Sequence, residues 1–373
     1  MTKNNFRGET WKTLRKLLSP TFTSGKLKSM IDPIDTLADN AIDHLKGLSK
    51  GNATFNIKPL LQGFALDAIN KVAFGIDTKC FKGENEDLIL CTQKLLEGFA
   101  PSSLVEDFFF QLFFHFPELT PGGFWNEYAM RFAKITKQVC DERDAKNIHI
   151  GDFVDTLRKM KKEAKPPITE PMIDAQGMVF ITAGYETTSN TIGAALYFLA
   201  KNQDVQEKLY EEILDIVGDD HITYDSIRDL AYLEATIDET LRMHPPVIAH
   251  FRSCTKDCVI KGIPFKEGTN VQLAIHAVHM DPELFPEPTK FQPERFLKEN
   301  AENIVPYSFR PFGAGPRICI GQRFALTEIK LFMAKLLKAF HVVDTPQTKM
   351  EYGKGQFFLL AYDKMFVALE ARE

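Results

Sequence analysis

The run Phe312-Gly313-Ala314-Gly315-Pro316-Arg317-Ile318-Cys319-Ile320-Gly321 decides how this chain is read. It places phenylalanine, glycine, arginine, cysteine and glycine in the spacing F-x-x-G-x-R-x-C-x-G. At about one in twenty per fixed position, a chain of this length holds such a match by chance roughly once in ten thousand, so the run is a signal. Its glycines let the backbone turn tightly and approach a partner closely. Leu326 to Phe340 reads as a final helix; a helix starting just after Cys319 would point N–H groups and a positive dipole end at the sulfur. That favours the thiolate by ~0.3–1 kcal/mol, and the thiolate is the form that ligates metals.

Working outward, the residues before this run are mostly helical in pattern. The spacing predicts helices over Trp11–Leu18, Ile31–Leu48, Ile57–Val72, Asn126–Asp144, Pro171–Ala200, Asp204–Ile216 and, in two pieces, Tyr224–Met243, where Pro245-Pro246 stops the last. Arg158–Pro167 reads as a charged surface segment. After Val247 the texture changes to short β-like runs, Cys258–Ile260 and Asn270–Leu273, around the turn Lys266-Glu267-Gly268. The tail from Gly355 reads as a β-hairpin. Phe108–Phe116 is unusually aromatic, either a core corner or an apolar lip near an entrance or membrane surface.

The composition excludes several classes. The 373 residues carry a net charge of −5 and a pI near 6.0, which argues against a nucleic-acid binder. The six cysteines, Cys80, Cys91, Cys140, Cys254, Cys258 and Cys319, are scattered, a usage that fits free thiols in a reducing compartment. The Cys254–Cys258 spacing is open to a metal reading, but no His or Cys pair follows at finger-like spacing. No secretory signal or membrane span is visible. The most apolar stretch, Gly177–Ala200, contains Glu186 and several hydroxyls and reads as a buried helix. Without repeats or linkers, residues 1–373 read as a single domain.

The run 312–321 is the loop signature of cytochromes P-450, and the chain resembles that family over essentially its whole length. Further motifs stand in the family's order: Ala183-Gly184-Tyr185-Glu186-Thr187-Thr188-Ser189, then Glu239-Thr240-Leu241-Arg242, then Pro293-Glu294-Arg295-Phe296. The resemblance implies a mainly α fold with small β-sheets, a single haem-binding catalytic domain, and haem b (iron protoporphyrin IX) as cofactor. Cys319 is then the axial iron ligand, tuned by hydrogen bonds to sulfur and by the apolar shield of Phe312, with Gly321 closing the loop. Trp11 and Arg15 match a W-x-x-x-R helix, and they, Arg252 and Arg317 are expected to hold haem propionates. Ala183 and Gly184 leave room for a ligand on iron, and Glu186 and Thr187 serve proton delivery. Glu239, Arg242 and Arg295 form a structural triad bracing the ligand loop. His250, His276 and His279 resemble ordinary family positions and are not read as iron ligands.

The expected reaction inserts one atom of dioxygen into an apolar substrate (lipid, steroid or foreign compound), with electrons from NADPH through cytochrome P-450 reductase. The runs Leu17–Lys28 and Ala183–Ser189 look like the drug- and steroid-oxidising animal microsomal group. That implies the cytosolic face of the endoplasmic reticulum and contact with its membrane surface. Lys12, Lys16, Arg323, Lys330 and Lys338 are candidates for a basic face that docks the reductase. Phe108–Phe116 and Gln356–Leu360 suggest a large apolar pocket. Family members carry an anchor, a hinge, a first helix and strands, and a substrate loop ahead of the tryptophan. Met1 lies just before Trp11, so these are expected to be absent and the small sheet incomplete. The alternatives are an inactive haem-binding isoform and a haem-thiolate isomerase or synthase, the latter disfavoured by Glu186-Thr187.

Overall fold

The structure, a computed structural model, describes residues 8–50, 53–97, 126–164, 167–218, 221–353 and 359–372. The helices among them are α1 (Gly8–Leu18), α2 (Ser24–Leu48), α3 (Lys58–Ile69), α4 (Glu86–Glu97), α5 (Asn126–Ala145), α6 (Phe153–Glu163), α7 (Glu170–Lys201), α8 (Gln203–Ile216), α9 (Tyr224–Asp229), α10 (Ala231–Met243), α11 (Ile275–His279) and α12 (Gln322–Ala339). The fold is mainly α with small antiparallel sheets, as expected.

Helix α7 is the axis of the molecule. Pro171 sits in its first turn, where a missing N–H costs nothing, and it runs for 32 residues. Its C-terminal half is buried nearly all round, the mark of a helix enclosed by others. Helices α3, α5, α10 and α12 pack around it. Helix α12 buries Leu331, Phe332, Met333, Leu336 and Leu337 completely, each contributing about 1.5–3 kcal/mol of transfer free energy. Phe332 meets Phe64 of α3 with ring centroids 4.4 Å apart.

Strand β8 (Tyr362–Ala371) is the spine of the main sheet. Strands β1 (Phe55–Asn56), β6 (Phe340–Val343) and β7 (Lys349–Tyr352) pair with it, all antiparallel. Strand β2 (Ala249–Ser253) pairs with β5 (Asn270–Ala274), setting Arg252 opposite Val271. Strands β3 (Cys258–Ile260) and β4 (Ile263–Phe265) make a separate hairpin. Its turn uses Lys261 and Gly262, both at positive φ, the two-residue geometry that matches strand twist.

Four expectations need correction. The final helix starts at Gln322, not Leu326, because the motif loop delivers the chain straight into a helical turn. The C-terminal hairpin is built from β7 and β8, so its first strand precedes Gly355. Residues 158–163 belong to α6. Arg158, expected on the surface, is buried because it bonds Asp144, Asp155 and the Ile148 carbonyl. Helix α4 carried no sequence expectation. No helix among the described residues is long and apolar enough to cross a membrane.

Candidate functional site

A cavity of about 550 Å³ opens between α7 and the segment that carries the motif, a size within the usual range of ligand sites, about 300–1,000 Å³. The wall from α7 includes Phe180, Ala183, Gly184, Glu186, Thr187, Thr188 and Thr191, and the facing wall Phe312, Arg317, Cys319, Ile320 and Gly321. His250 and Arg252 of β2 close a third side, with Leu359 beside them.

The cysteine loop is locked by its own backbone. The Cys319 N–H donates to the Phe312 carbonyl at 2.9 Å, Gly313 N–H to Arg310 at 3.0 Å, and Ile318 N–H to Gly315 at 3.0 Å. Gly313 and Gly315 sit at φ +80° and +72°, where side chains with a Cβ are strained. A Cβ on Gly313 would also come within 3.1 Å of the His250 ring.

Cys319 is accessible because it faces the cavity rather than packed protein. Burial pushes its thiol up, and the Gly321 N–H, the Arg15 charge and the Gln322 N–H offset only part of that rise. The sulfur therefore sits on the N-terminus of α12, where orphan N–H groups favour an anion. The helix N-terminus stands behind the sulfur as expected, but burial outweighs its N–H groups and the thiol stays raised.

Four residues expected to bind propionates are arranged in two groups. The Arg317 guanidinium lies 4.1 Å over the Trp11 ring, a cation–π contact that holds it in place. Arg252 lines the cavity from β2 and donates to the Phe251 carbonyl at 2.8 Å. Trp11 and Arg15 of α1 do not line the cavity themselves; they act through Arg317 and on the Cys319 sulfur.

On α7, the Thr187 hydroxyl donates back to the Ala183 carbonyl at 2.6 Å, which leaves its oxygen lone pairs toward the cavity. Glu186 is buried. Its carboxylate accepts from Lys58 Nζ at 2.7 Å and Gln62 Nε2 at 2.8 Å. Lys58 also donates to the Tyr362 carbonyl. The acid is thus held by α3 and not left free beside the alcohol. Lys58 and Gln62 were missed by the sequence reading. A lysine heading the apolar run Ile57–Val72 was the available sign, since a buried ammonium requires a buried partner. At Gly184 a Cβ would meet Ile69 Cδ1 at 2.8 Å, so the small residue also admits α3 against α7. At Gly321 a Cβ would make only ordinary contact with Phe22; the contribution of that residue is its N–H.

The three expected triad residues come together between α10 and the Pro293–Phe296 turn. Arg242 donates to both Glu239 oxygens, at 2.7 and 2.8 Å, with both side chains wholly buried. Arg295 Nε lies 3.4 Å from Glu239 Oε1, and the Gln292 N–H donates to the same oxygen at 2.9 Å. Of the histidines set aside, His276 and His279 engage the carbonyls of Met243 and Arg242, while His250 lines the cavity.

The proposed basic face loses one member. Lys330 is buried, bonded to Glu234 at 2.5 Å and to the Ile227 and Leu230 carbonyls, because its place on α12 points between α9 and α10. Lys338 is half-buried against the Gly218 carbonyl. Lys12, Lys16 and Arg323 are exposed; Lys12 pairs with Glu9, and Arg323 bonds the neutral hydroxyls of Ser24 and Tyr224. Phe108–Phe116 and Gln356–Phe358 lie outside the described residues.

These residues fit haem. An accessible sulfur with two N–H donors and a nearby cation faces an apolar cavity, and the guanidinium groups of Arg252 and Arg317 stand on the wall for carboxylates.

Comparison with known proteins agrees with this geometry. The family model described as "Cytochrome P450" matches residues 4–366. Cytochrome P450 3A2 of Rattus norvegicus is 34% identical over 378 residues, covering 97% of this chain and 73% of the relative. Cytochrome P450 3A11 of Mus musculus gives the same figures, and cytochrome P450 3A31 of Mesocricetus auratus is 36% identical over 368 residues, with the same coverage.

Proposed function

The chain belongs to the cytochrome P450 family of haem-thiolate monooxygenases, and from that premise we propose how its own residues serve the reaction. Haem b, when bound, supplies dioxygen activation, with one oxygen atom entering the substrate and the other leaving as water. Cys319 Sγ is the iron ligand; burial raises its thiol, the N–H groups of Gly321 and Gln322 and the charge of Arg15 offset part of that rise, and the sulfur would release its proton on binding iron. Arg252 and Arg317 take the propionates, the latter steadied by Trp11. Ala183 and Gly184 keep the α7 wall low and would leave room for the haem in the cavity they share with Cys319.

Thr187 Oγ1 accepts a hydrogen bond from a group at the cavity centre while its own proton rests on the Ala183 carbonyl. Glu186, next to Thr187 in the chain, passes a proton toward that hydroxyl when its carboxylate turns from Lys58 Nζ and Gln62 Nε2, which hold both of its oxygens at rest. The substrate is a small apolar molecule, a lipid, steroid or foreign compound, since Phe22, Ile69, Leu96, Val179, Phe180 and Leu359 give the cavity its lining. Electrons come from NADPH through a reductase that docks at Lys12, Lys16 and Arg323, on the membrane surface of the endoplasmic reticulum.

The single observation that carries this reading is the Cys319 sulfur on the α12 N-terminus, open to a cavity walled by arginines and hydroxyls. The test is turnover of an apolar substrate by the haem-loaded chain with NADPH and cytochrome P450 reductase. Product formation that needs both, and that falls when Lys16 and Arg323 are changed to glutamate, supports it. Turnover of a peroxide without reductase, and none with it, favours the isomerase reading instead.

A further inference from the structure

Outside the cavity, two thiols stand together. Cys254 follows β2, where its N–H donates to the Thr269 carbonyl and its own carbonyl accepts from Gly268, each at 2.8 Å. Cys258 opens β3 and is paired with Phe265. The ladder of β2 with β5 and the β3–β4 hairpin thus fix both ends of the short loop Thr255-Lys256-Asp257. They bring the two sulfurs to 3.7 Å. Both residues are half-buried, hence reachable by a small solute. Asp257 is occupied by Lys266 at 2.7 Å and the Glu267 N–H at 2.8 Å, so the loop keeps its shape. Among the described residues no group of three or more His, Cys, Asp or Glu is placed to hold a metal ion, so the pair has no third ligand to make it a metal site.

We propose that Cys254 and Cys258 form a reversible disulfide, a redox modification site separate from the cysteine that faces the cavity. The oxidant is a hydroperoxide. One thiolate sulfur attacks the peroxide oxygen; the O–O bond breaks, giving a sulfenic acid and, after protonation, water or an alcohol. The other thiolate attacks that sulfur; the S–S bond forms and hydroxide leaves, taking up a proton as water. Two thiols lose two electrons and two protons in all, and the peroxide is reduced by two. The sulfurs need to close from 3.7 Å to about 2.05 Å, a movement within reach of side-chain rotation and slight loop adjustment. Disulfides closed in short exposed loops are the more easily reduced ones, so this bond reopens with a dithiol.

The bond would form two residues beyond Arg252, on the same side of the strand by the two-residue period. His250 and Arg252 of that strand line the cavity, so closure would tether the strand that supplies one of its walls.

The test uses the purified haem-loaded chain, reduced and then exposed to a slight excess of hydrogen peroxide. Free thiols are counted and non-reduced peptides are mapped by mass. The expected result is a linked peptide pair containing Cys254 and Cys258, lighter by two hydrogen atoms and restored by dithiothreitol. Cys254→Ser and Cys258→Ser each abolish the link and leave the surviving thiol to over-oxidise or react with an added thiol. The proposal is overturned if both cysteines alkylate fully after peroxide, or if each oxidises singly at the rate seen in the other's serine variant.

Discussion

Arg242→Leu removes the cation from the buried pair on α10. Arg242 is wholly buried, and it bonds both Glu239 oxygens and the carbonyls of His279 and Pro288, the last two at 2.9 Å. Leucine keeps part of the volume, so the loss is mainly electrostatic. Breaking one side of a buried pair costs about 3–5 kcal/mol, and each carbonyl left without a donor adds about 1–3 kcal/mol. Glu239 retains the Gln292 N–H at 2.9 Å and Arg295 at 3.4 Å, which soften the loss. The expected cost is at least about 5 kcal/mol, near the lower bound of ordinary protein stability. Over 373 residues the unfolding entropy is about 0.8 kcal/mol/K, so Tm should fall by about 6 °C. The assay is thermal unfolding by circular dichroism, with the haem-loaded fraction measured alongside. Glu239→Leu combined with Arg242→Leu should be less damaging than Arg242→Leu alone, because neither charge is then stranded. A single variant within about 1 °C of the parent, or a double variant worse than both singles, refutes the reasoning.

Further outcomes follow from the site. Thr187→Ala should cut turnover on the order of 10²-fold, the usual scale of a proton-transfer group, with substrate KM little changed in steady-state kinetics. Lys58→Met should lower kcat with KM held, since it strips the cation from Glu186 without touching the apolar wall; an unchanged kcat would make Lys58 purely structural. Burial pushes the His279 imidazole down to about 4 from its ordinary 6.5. The unfolded chain therefore takes up a proton between those values that the folded chain refuses. Stability is full above about pH 6.5 and is lost as pH falls toward 4, by about 3 kcal/mol. Urea midpoints measured from pH 7 to 4 should show this fall, and His279→Gln should remove its share, leaving that of His244, which burial also pushes down to about 4. Arg317→Ala should speed haem transfer to an acceptor protein about tenfold, the scale of one charge-assisted contact.

Much of this was legible because the motif chemistry is local. The apolar periodicity places the helix start at Leu326 and misses its first turn from Gln322, but the spacing from Phe312 to Gly321 dictates the turn that presents the sulfur. Glu239 and Arg242, three apart on one helix, pair for the same reason. What the sequence hid lies across elements. Lys58 and Glu186 are 128 positions apart, and no periodicity links them. Lys330 looked like surface charge until α9 and α10 closed over it with Glu234. Arg158 reads as exposed in a charged run, yet one side of an amphipathic helix buries it. The Cys254–Cys258 pair was visible as a spacing, but only the two strand pairings bring the sulfurs together.

The account's central claim is that the Cys319 sulfur binds haem iron as a thiolate. The most direct measurement is the absorption spectrum of the reduced chain under carbon monoxide, for the parent and for Cys319→Ser, after equal haem reconstitution. The account predicts a thiolate-type Soret band in the parent and none in the variant. The same band in both proteins, or its absence from a folded, haem-loaded parent, would contradict it.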